Sequence, residues 1–257
     1  MPMIARLSAL PGQLDILPEP PETLYYRGDP ALLARPMVSI VGTRKPTAYT
    51  REMTTRIAKR FAEIGYVVVS GAAMGVDAVA HLGAFPHTIA VMANGLDILY
   101  PHVNRKMIAS ICEQGLALSE YEAGMRATRY SFVIRNRIVV ALGEVLIITQ
   151  ADPDSGTMRS AEIAQQLGKK IYVLPHRLGE SDGTRQLLAE GKAEPIWDID
   201  AFVGGFGTLP EGEADPLLAF CRDIPTLAEA VEKFGDAVYA YELEGKIEIK
   251  NLKVYPL

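Results

Sequence analysis

Six short apolar runs alternate with helical patterns between residues 37 and 175, and this alternation limits the possible folds more than any other feature. The runs are rich in β-branched side chains, and Gly, Pro, Asn or Asp bounds each of them, as is typical of buried parallel strands. In order they are MVSIVG, YVVVS, TIAVMA, LALSE, EVLIITQ and KIYVLP. The sequence therefore predicts an α/β fold with a doubly wound, mostly parallel sheet that helices cover on both faces.

The composition changes at the segment FVGGFGTLPEGEADP, where Gly, Pro and acidic residues indicate a linker. We predict two domains: residues 1–207, which include a short N-terminal extension at 1–35, and residues 208–257. The second contains three short helical segments and then two alternating strands around Asn251. This order predicts a small winged-helix-like domain.

The sequence lacks the patterns of a signal peptide and of a membrane-spanning helix. The N-terminus lacks the basic start and apolar core of a signal peptide, and no 18 apolar residues run together. We expect a cytoplasmic protein. Cys112 and Cys221 lie far apart in apolar helical segments, which predicts packed, reduced thiols and neither a disulfide nor a zinc site.

The net charge of −5 is unevenly distributed. Residues 208–257 contain ten acids and five bases, so this segment carries the whole excess and the rest of the chain is neutral. Within the neutral part, residues 41–60 contain six bases and one acid, and residues 125–142 contain four arginines and no acid. Two basic segments in an acidic protein keep a polyanionic partner possible.

Three glycine-containing turns have the form of anion-binding loops. They are Gly42–Lys45 after the first predicted strand, Ser70–Asp77 after the second, and Ser155, Gly156 and Thr157 before the helical segment MRSAEIAQQLG. In a doubly wound sheet, ligands bind outside the carboxyl ends of the strands, where backbone N–H groups at helix N-termini hold anions. We expect the three turns to converge on one crevice.

The first turn does not match a dinucleotide site. The fingerprint G-x-G-x-x-G leaves bare backbone for a pyrophosphate, whereas here Gly42 is followed by Thr43, Arg44 and Lys45. The two cations suit a phosphate that belongs to a longer chain. The alternative is that they are solvated charges on the first turn of a helix, where the helix dipole disfavours them.

The second turn, SGAAMGVD, has the form of an anion nest built from amides that include those of Gly71, Ala72 and Gly75, with Asp77 as a helix cap or amide anchor. A tight strand-to-helix turn that holds no ligand explains the pattern equally well. The position of this turn beside the first one favours the nest.

The segment MRATRYSFVIRNRIVVAL combines cations with aromatic rings. Phe132 lies between Arg129 and Arg135, next to Tyr130, and Arg137 follows. Aromatic rings interleaved with cations are typical of platforms on which unpaired bases stack. The alternative is an amphipathic helix in which Phe132 is a core residue and the arginines extend to solvent.

The sequence predicts neither catalysis nor a metal site nor a cofactor. The four histidines lack metal-ligand spacing, and no G-x-S-x-G elbow is present. Glu120 and Glu122 form a closely spaced acid pair of the kind that general acid–base catalysis uses. They lie at the end of a predicted strand without an evident partner.

Seven motifs follow one another in order between Leu24 and Lys169: LYYRGDPALL, VSIVGTRKPTAYT, VVVSGAAMGVDAVAH, VMANGLDILYPHVN, LSEY, FVIRNRIVVAL and ADPDSGTMRSAEIAQQLGK. Together they resemble the DNA-processing protein A (DprA, or Smf) family. The resemblance implies an extended Rossmann domain, a homodimer, and a cytoplasmic protein of natural transformation. Such a protein binds incoming single-stranded DNA, protects it and helps to load the RecA recombinase.

The resemblance also implies site residues. The family's G-[S/T]-R turn falls on Gly42, Thr43 and Arg44, and its basic pocket with a stacking phenylalanine falls on Arg129, Phe132, Arg135 and Arg137. Together with the pattern of turns, this predicts that amides of the first two turns hold consecutive phosphates while Phe132 stacks on a base. His176 departs from the family, because many members have glycine there.

Two other functions are compatible with the sequence. Nucleotide phosphoribohydrolases of the same fold group carry a P-G-G-x-G-T-x-x-E loop, of which ADPDSGTMRSAE keeps Gly-Thr but not the glycine pair, and Glu162 comes five residues after Thr157. The other possibility is an adaptor that bridges RecA and DNA through the acidic tail.

Overall fold

The computed structural model describes residues 3–209, 216–221 and 223–256. The chain divides into two compact units, Met1–Thr208 and Leu209–Leu257. Both predicted packed thiols are buried, Cys112 in the first unit and Cys221 in the second. Among the residues described, no helix is long and apolar enough to cross a bilayer, and no group of His, Cys, Asp or Glu is arranged to hold a metal ion.

A nine-stranded sheet forms the centre of the first unit. The strands in chain order are β1 (Ala5–Arg6), β2 (Tyr25–Gly28), β3 (Met37–Val41), β4 (Val67–Ser70), β5 (Thr88–Val91), β6 (Leu116–Ser119), β7 (Leu146–Ile148), β8 (Ile171–Val173) and β9 (Glu194–Pro195). Their order across the sheet is β1-β2-β6-β5-β4-β3-β7-β8-β9. The β1–β2 and β2–β6 pairs are antiparallel, and the other pairs of this sheet are parallel. The predicted doubly wound, mostly parallel sheet is confirmed, and all six apolar runs are strands, β3 to β8.

Seven α-helices described in the first unit connect or flank these strands. They are α1 (Ala48–Glu63), α2 (Val76–Ala84), α3 (Arg105–Gln114), α4 (Arg129–Leu142), α5 (Gly156–Gln166), α6 (Asp182–Ala189) and α7 (Ile199–Gly204). Three short 3-10 helices lie at Gly12–Ile16, Pro30–Ala34 and His102–Asn104. The crossovers place apolar side chains on both faces of the sheet, so the central strands are buried along their whole length.

The winding direction reverses between β3 and β7. From β3 the chain builds β4, β5 and β6 on one side, then returns through α4 to place β7 and β8 on the other side. The buried C-terminal half of α4 lies against β3, where Ser39 Oγ donates a hydrogen bond to the Val139 carbonyl at 2.5 Å. The loops after β3 and β7 leave in opposite directions at such a reversal, which opens a crevice at the carboxyl ends of the strands.

The second unit has its own small core. It contains α8 (Pro216–Cys221), α9 (Leu227–Phe234) and α10 (Ala237–Leu243), followed by a hairpin of β10 (Ile247–Lys250) and β11 (Lys253–Pro256). Asn251 and Leu252 both have positive φ, as the two central residues of a type I′ hairpin turn do. Three helices and a hairpin agree with the expected element order, and the winged-helix assignment stays a prediction.

Candidate nucleic-acid interface

A crevice of about 470 Å³ opens where the winding reverses. The turn after β3, the first half of α4 and the beginning of α5 form its walls, and Ala73 of the turn after β4 and Asp77 at the beginning of α2 also line it. All three glycine-containing turns therefore reach one crevice, as their positions after parallel strands predict.

The turn after β3 directs Arg44 into the crevice. Gly42 packs against α2 so closely that a Cβ atom there would lie 2.6 Å from Val76 Cγ2. The amide of Thr43 donates to the Gln150 carbonyl at 2.8 Å, and the amide of Lys45 donates to Thr43 Oγ1 at 3.3 Å. Gly42, Thr43 and Arg44 line the crevice, whereas Lys45 is exposed outside its lining. The internal use of the Thr43 and Lys45 amides corrects the prediction that this turn offers a continuous row of amides.

One face of α4 forms the opposite wall. A capping box fixes its beginning, because the Ser131 amide donates to Thr128 Oγ1 at 3.1 Å and the Thr128 amide donates to Ser131 Oγ at 2.8 Å. Arg129 and Phe132 line the crevice from the next turns. The Arg44 guanidinium carbon lies 5.8 Å from the centre of the Phe132 ring, within cation–π range. The structure thus brings Arg44, Arg129 and Phe132 together.

Arg135 lines the buried part of the crevice wall. Only 3% of its surface is exposed, and its guanidinium donates to the carbonyls of Gly71 and Val91. Burial lowers the pKa of Arg135 to about 10, against the attraction of the nearby Asp77 carboxylate. Arg135 therefore lines the crevice as a buried cation whose guanidinium two carbonyls hold in place, and its part in nucleic-acid binding stays a prediction.

Arg137 lies outside the crevice lining. Its Nη2 atom is 2.7 Å from Glu120 Oε2, and both side chains are largely buried. A cation held by a carboxylate beside the end of β6 has little charge left for a polyanion. The prediction that Arg137 binds nucleic acid is corrected for this reason, and the acid pair singled out in the sequence contributes Glu120 as the partner of Arg137.

The turn after β4 is filled by side chains of α2. Asp77 Oδ2 accepts hydrogen bonds from the amides of Gly71 and Ala73, each at 3.2 Å, and His81 Nε2 accepts from the Ala72 amide at 3.2 Å. These amides are not available to a phosphate, which corrects the prediction of a phosphate nest. Gly75 has φ +83°, and a Cβ there would lie 2.4 Å from the Thr43 carbonyl. The second turn is therefore a buttress for the first.

Both ionisable groups of this buttress have shifted pKa values. Burial raises the pKa of Asp77, while Arg135, the Ser70 hydroxyl and the two amides oppose that rise. Burial, together with the positive charge of Arg135, lowers the pKa of His81 to about 3. The neutral ring carries its proton on Nδ1, which is 2.7 Å from Thr88 Oγ1, because Nε2 accepts from an amide.

The third turn places a helix N-terminus at the crevice. Ser155 caps α5 by accepting from the Met158 amide at 3.4 Å, and its hydroxyl donates to the Asp152 carbonyl at 2.7 Å. Ser155, Gly156 and Thr157 line the crevice. The first amides of an α-helix have no partner within the helix and carry its positive dipole end, so they favour an anion.

His176 does not line the crevice. Its Nε2 atom is 2.7 Å from the Thr149 carbonyl, and its ring packs edge-on against Tyr49 with centroids 5.5 Å apart. The side chain of His176, which replaces the glycine usual in the family, therefore packs between Thr149 and Tyr49 and outside the crevice lining.

Several residues in or beside the crevice were not predicted from the sequence, among them Val133, Ser160, Asn136 and Tyr100. Asn136 lines the crevice seven residues after Arg129, and the helical period alone could have placed both on one face. Tyr100 packs against Phe132 with centroids 6.2 Å apart. Nothing local in the sequence brings the loop after β5 to α4, so no pattern signalled this contact.

The model of the family described as DNA recombination-mediator protein A matches residues 4–206. DNA processing protein DprA of Bacillus subtilis is 31% identical over 207 residues, which are 78% of this chain and 68% of that protein. Protein Smf of Synechocystis is 35% identical over 222 residues, or 81% of this chain. The chain spans only 55% of the Synechocystis protein.

Two solved structures have the same fold. DNA processing protein A of Helicobacter pylori, whose structure was described for its single-stranded DNA binding mode, is 46% identical with a TM-score of 0.78, over 79% of this chain and 95% of that one. DprA of Streptococcus pneumoniae is 30% identical with a TM-score of 0.74, over 78% of this chain and 74% of that one.

Proposed function

Because this chain belongs to the DNA recombination-mediator protein A family, we propose that it binds single-stranded DNA in the crevice between β3 and β7. In this role it protects incoming strands during natural transformation and promotes their loading with RecA. Its relative from Helicobacter pylori binds single-stranded DNA, which supports the first part of the proposal. We place this activity in the cytoplasm, where RecA acts on incoming strands.

The gathering of Arg44, Arg129 and Phe132 in one crevice is the observation that carries the proposal. In the described part of the chain, neither arginine forms an ion pair with an acidic side chain. Both charges are exposed and ready to neutralise phosphates. The one carboxylate in the lining, Asp77, accepts hydrogen bonds from two amides and is attracted by the positive charge of Arg135.

The groups in the crevice suit different parts of a nucleotide. Arg44, Arg129 and the first amides of α5 hold backbone phosphates, and Phe132 stacks on an unpaired base. Stacking contributes roughly 1–3 kcal/mol per base and tolerates any base, so binding is insensitive to sequence. A base inside a duplex cannot present its face to Phe132, so single strands bind more tightly than duplexes.

A salt-resolved comparison of single-stranded and duplex oligonucleotides tests this proposal. Fluorescence anisotropy at several salt concentrations should give a tighter dissociation constant for the single strand at every salt. It should also give a negative slope of log K against log salt. Equal or tighter binding of the duplex would contradict the proposal.

The RecA and homodimer parts of the proposal rest on family membership. Loading is tested by whether the protein accelerates RecA filament formation on single strands coated with a single-strand-binding protein. Self-association is tested by sedimentation at several protein concentrations. A protein that binds single strands but leaves filament formation unchanged would contradict the loading role alone.

We also propose that the protein is not an enzyme. Glu162, the acid considered for phosphoribohydrolase chemistry, is exposed and pairs with Arg159 at 2.9 Å on α5. It is absent from the crevice lining. Asp77 is committed to two amides, which leaves the lining without a free acid or base. Incubation with AMP should release no adenine, and released base would overturn this conclusion.

A further inference from the structure

A line of rings begins at the crevice and continues to the surface. Phe132 and Tyr100 have centroids 6.2 Å apart and planes tilted by 42°. Tyr100 in turn meets His102 edge-on at 6.1 Å. Tyr100 is 41% exposed, and His102 is exposed as well. Aromatic faces open to solvent therefore extend beyond the single ring that the crevice itself contains.

The loop that carries these rings is held in place at both ends. Asn104 Nδ2 donates to the Ala72 and Ala73 carbonyls at 3.1 and 2.9 Å, which ties the loop to the turn after β4. Asn94 Nδ2 donates to the Ile98 carbonyl at 2.7 Å and braces the loop's beginning. Because Ala73 also lines the crevice, the loop and the crevice share one rigid support.

The charge of this segment suits a polyanion. Arg105 and Lys106 begin α3 directly after the Asn104 anchor, and both are exposed. No acid occurs between residues 98 and 109. Within the described residues, neither cation forms an ion pair with an acid. Two cations at the positive end of a helix dipole are unfavourable by themselves, and a phosphate beside them relieves that repulsion.

We propose that Tyr100 and His102 form a second stacking subsite for the strand that leaves the crevice, and that Arg105 and Lys106 neutralise its phosphates. This inference rests on the proposed function, since it assumes that the crevice holds single-stranded DNA. Exposed rings contiguous with Phe132, on a braced loop followed by unpaired cations, have the composition of an extended single-strand track. The subsite makes affinity depend on strand length.

A length series of oligothymidylates tests the subsite. We expect the Tyr100→Ala/His102→Ala double variant to bind an oligomer of about four nucleotides like the unmodified protein, because that length fills the crevice. It should bind an oligomer of about twelve nucleotides roughly ten-fold more weakly. Tyr100→Phe should keep the affinity of the unmodified protein, because stacking needs the ring and not the hydroxyl.

The charged part of the subsite has its own readout. Arg105→Gln/Lys106→Gln should lower the slope of log K against log salt by up to about 1.4 for the longer oligomer only, about 0.7 for each phosphate that the variant no longer neutralises.

Tyr239→Ala is the matched control for the loss of the Tyr100 ring, because this tyrosine is 44% exposed and lies on α10 of the second unit. The Tyr239→Ala variant should bind both oligomers with the affinity of the unmodified protein.

The outcomes separate the two proposals. If the unmodified protein binds neither oligomer, the proposed function fails. If it binds both and the double variant matches it at both lengths, the subsite is absent. A loss of equal size at both lengths also overturns the subsite, since Tyr100 then acts only by supporting Phe132. Thermal unfolding of each variant, with Tyr100→Phe as the conservative substitution, separates these results from misfolding.

Discussion

Four arginines of α4 and the turn after β3 differ in role because they differ in partners. Arg44 and Arg129 are exposed at the crevice and keep their full charge for a ligand. Arg135 is committed to two carbonyls and Asp77, and Arg137 is committed to Glu120. At the residue scale, composition alone overestimates the binding site, since a cation paired with an internal carboxylate, such as Arg137, has less charge to offer a phosphate than an unpaired one.

Arg44 is expected to account for one phosphate contact. Arg44→Ala should weaken single-strand binding and reduce the slope of log K against log salt by about 0.7, the counterion contribution of one phosphate in a single strand. Phe132→Ala should also weaken binding but leave the slope unchanged, because stacking releases no counterions. Arg159→Ala is the control, as this exposed arginine of α5 pairs with Glu162 outside the crevice. An unchanged slope in Arg44→Ala would remove this residue from the site.

His81 is expected to make stability depend on pH. Its pKa falls from an ordinary 6.5 to about 3 on burial, so between these values the unfolded chain binds the extra proton. The stability from its neutral ring is complete above pH 6.5 and is lost as the pH falls. Between about pH 7 and pH 5.5 the unmodified protein should lose about 1 kcal/mol more unfolding free energy than His81→Gln, measured by urea denaturation. Parallel pH profiles would show that His81 titrates normally.

At the scale of elements, the site is a meeting of three turns in which one turn supports another. Gly75 has a backbone conformation that L side chains rarely adopt, and it packs against the backbone of Thr43 and Arg44. Asp77 and His81 hold the amides of the same turn from α2. The position of Arg44 therefore depends on a turn that itself contributes Ala73 to the lining, together with Asp77 from α2.

Two glycine substitutions test whether the turn after β4 supports the turn after β3. Gly75→Ala should lower the unfolding free energy by at least about 2 kcal/mol, because it combines a positive φ with a backbone collision. Gly156→Ala should change it by less than about 0.5 kcal/mol, since a Cβ there meets nothing within 4 Å and φ is ordinary. Chemical denaturation measures both. Equal stability of the two variants would contradict the buttress role of the second turn.

The sequence predicts the strands and turns well because these depend on local patterns. Runs of β-branched residues bounded by turn residues identify β3 to β8, whereas β1 and β9 are two residues long and leave no such pattern. On α4, a helical step of about 100° per residue places Arg129, Phe132 and Asn136 within about 60° of one another, and it places Arg135 about 120° from Arg129 but only about 60° from Phe132. The period alone therefore did not show that Arg135 is buried. The contact of Tyr100 depends on tertiary structure and could not be predicted.

At the scale of the whole molecule, the two units divide charge as well as structure. The acidic excess lies entirely in residues 208–257, and every crevice residue lies in the first unit. Each unit has a buried core of its own, the second one containing Leu217, Val238 and Val254 among others. Function can therefore be assigned to each unit by removing one of them.

Removal of residues 209–257 should leave single-strand affinity within about two-fold of the full chain at physiological salt, because every residue that lines the crevice lies in the first unit and salt weakens the effect of exposed charges. The experiment compares anisotropy titrations of the two proteins with the same oligonucleotide. The same truncation should retain most RecA loading; complete loss would support the adaptor role of the acidic tail. A large loss of single-strand affinity would place part of the binding site in the second unit.

The carboxylate of Asp77 accepts hydrogen bonds from the amides of Gly71 and Ala73, to which a phosphate could otherwise have bound. The chain thus fixes the conformation of this loop with a carboxylate of its own. We therefore expect the proposed binding of a strand to need no prior rearrangement of this loop.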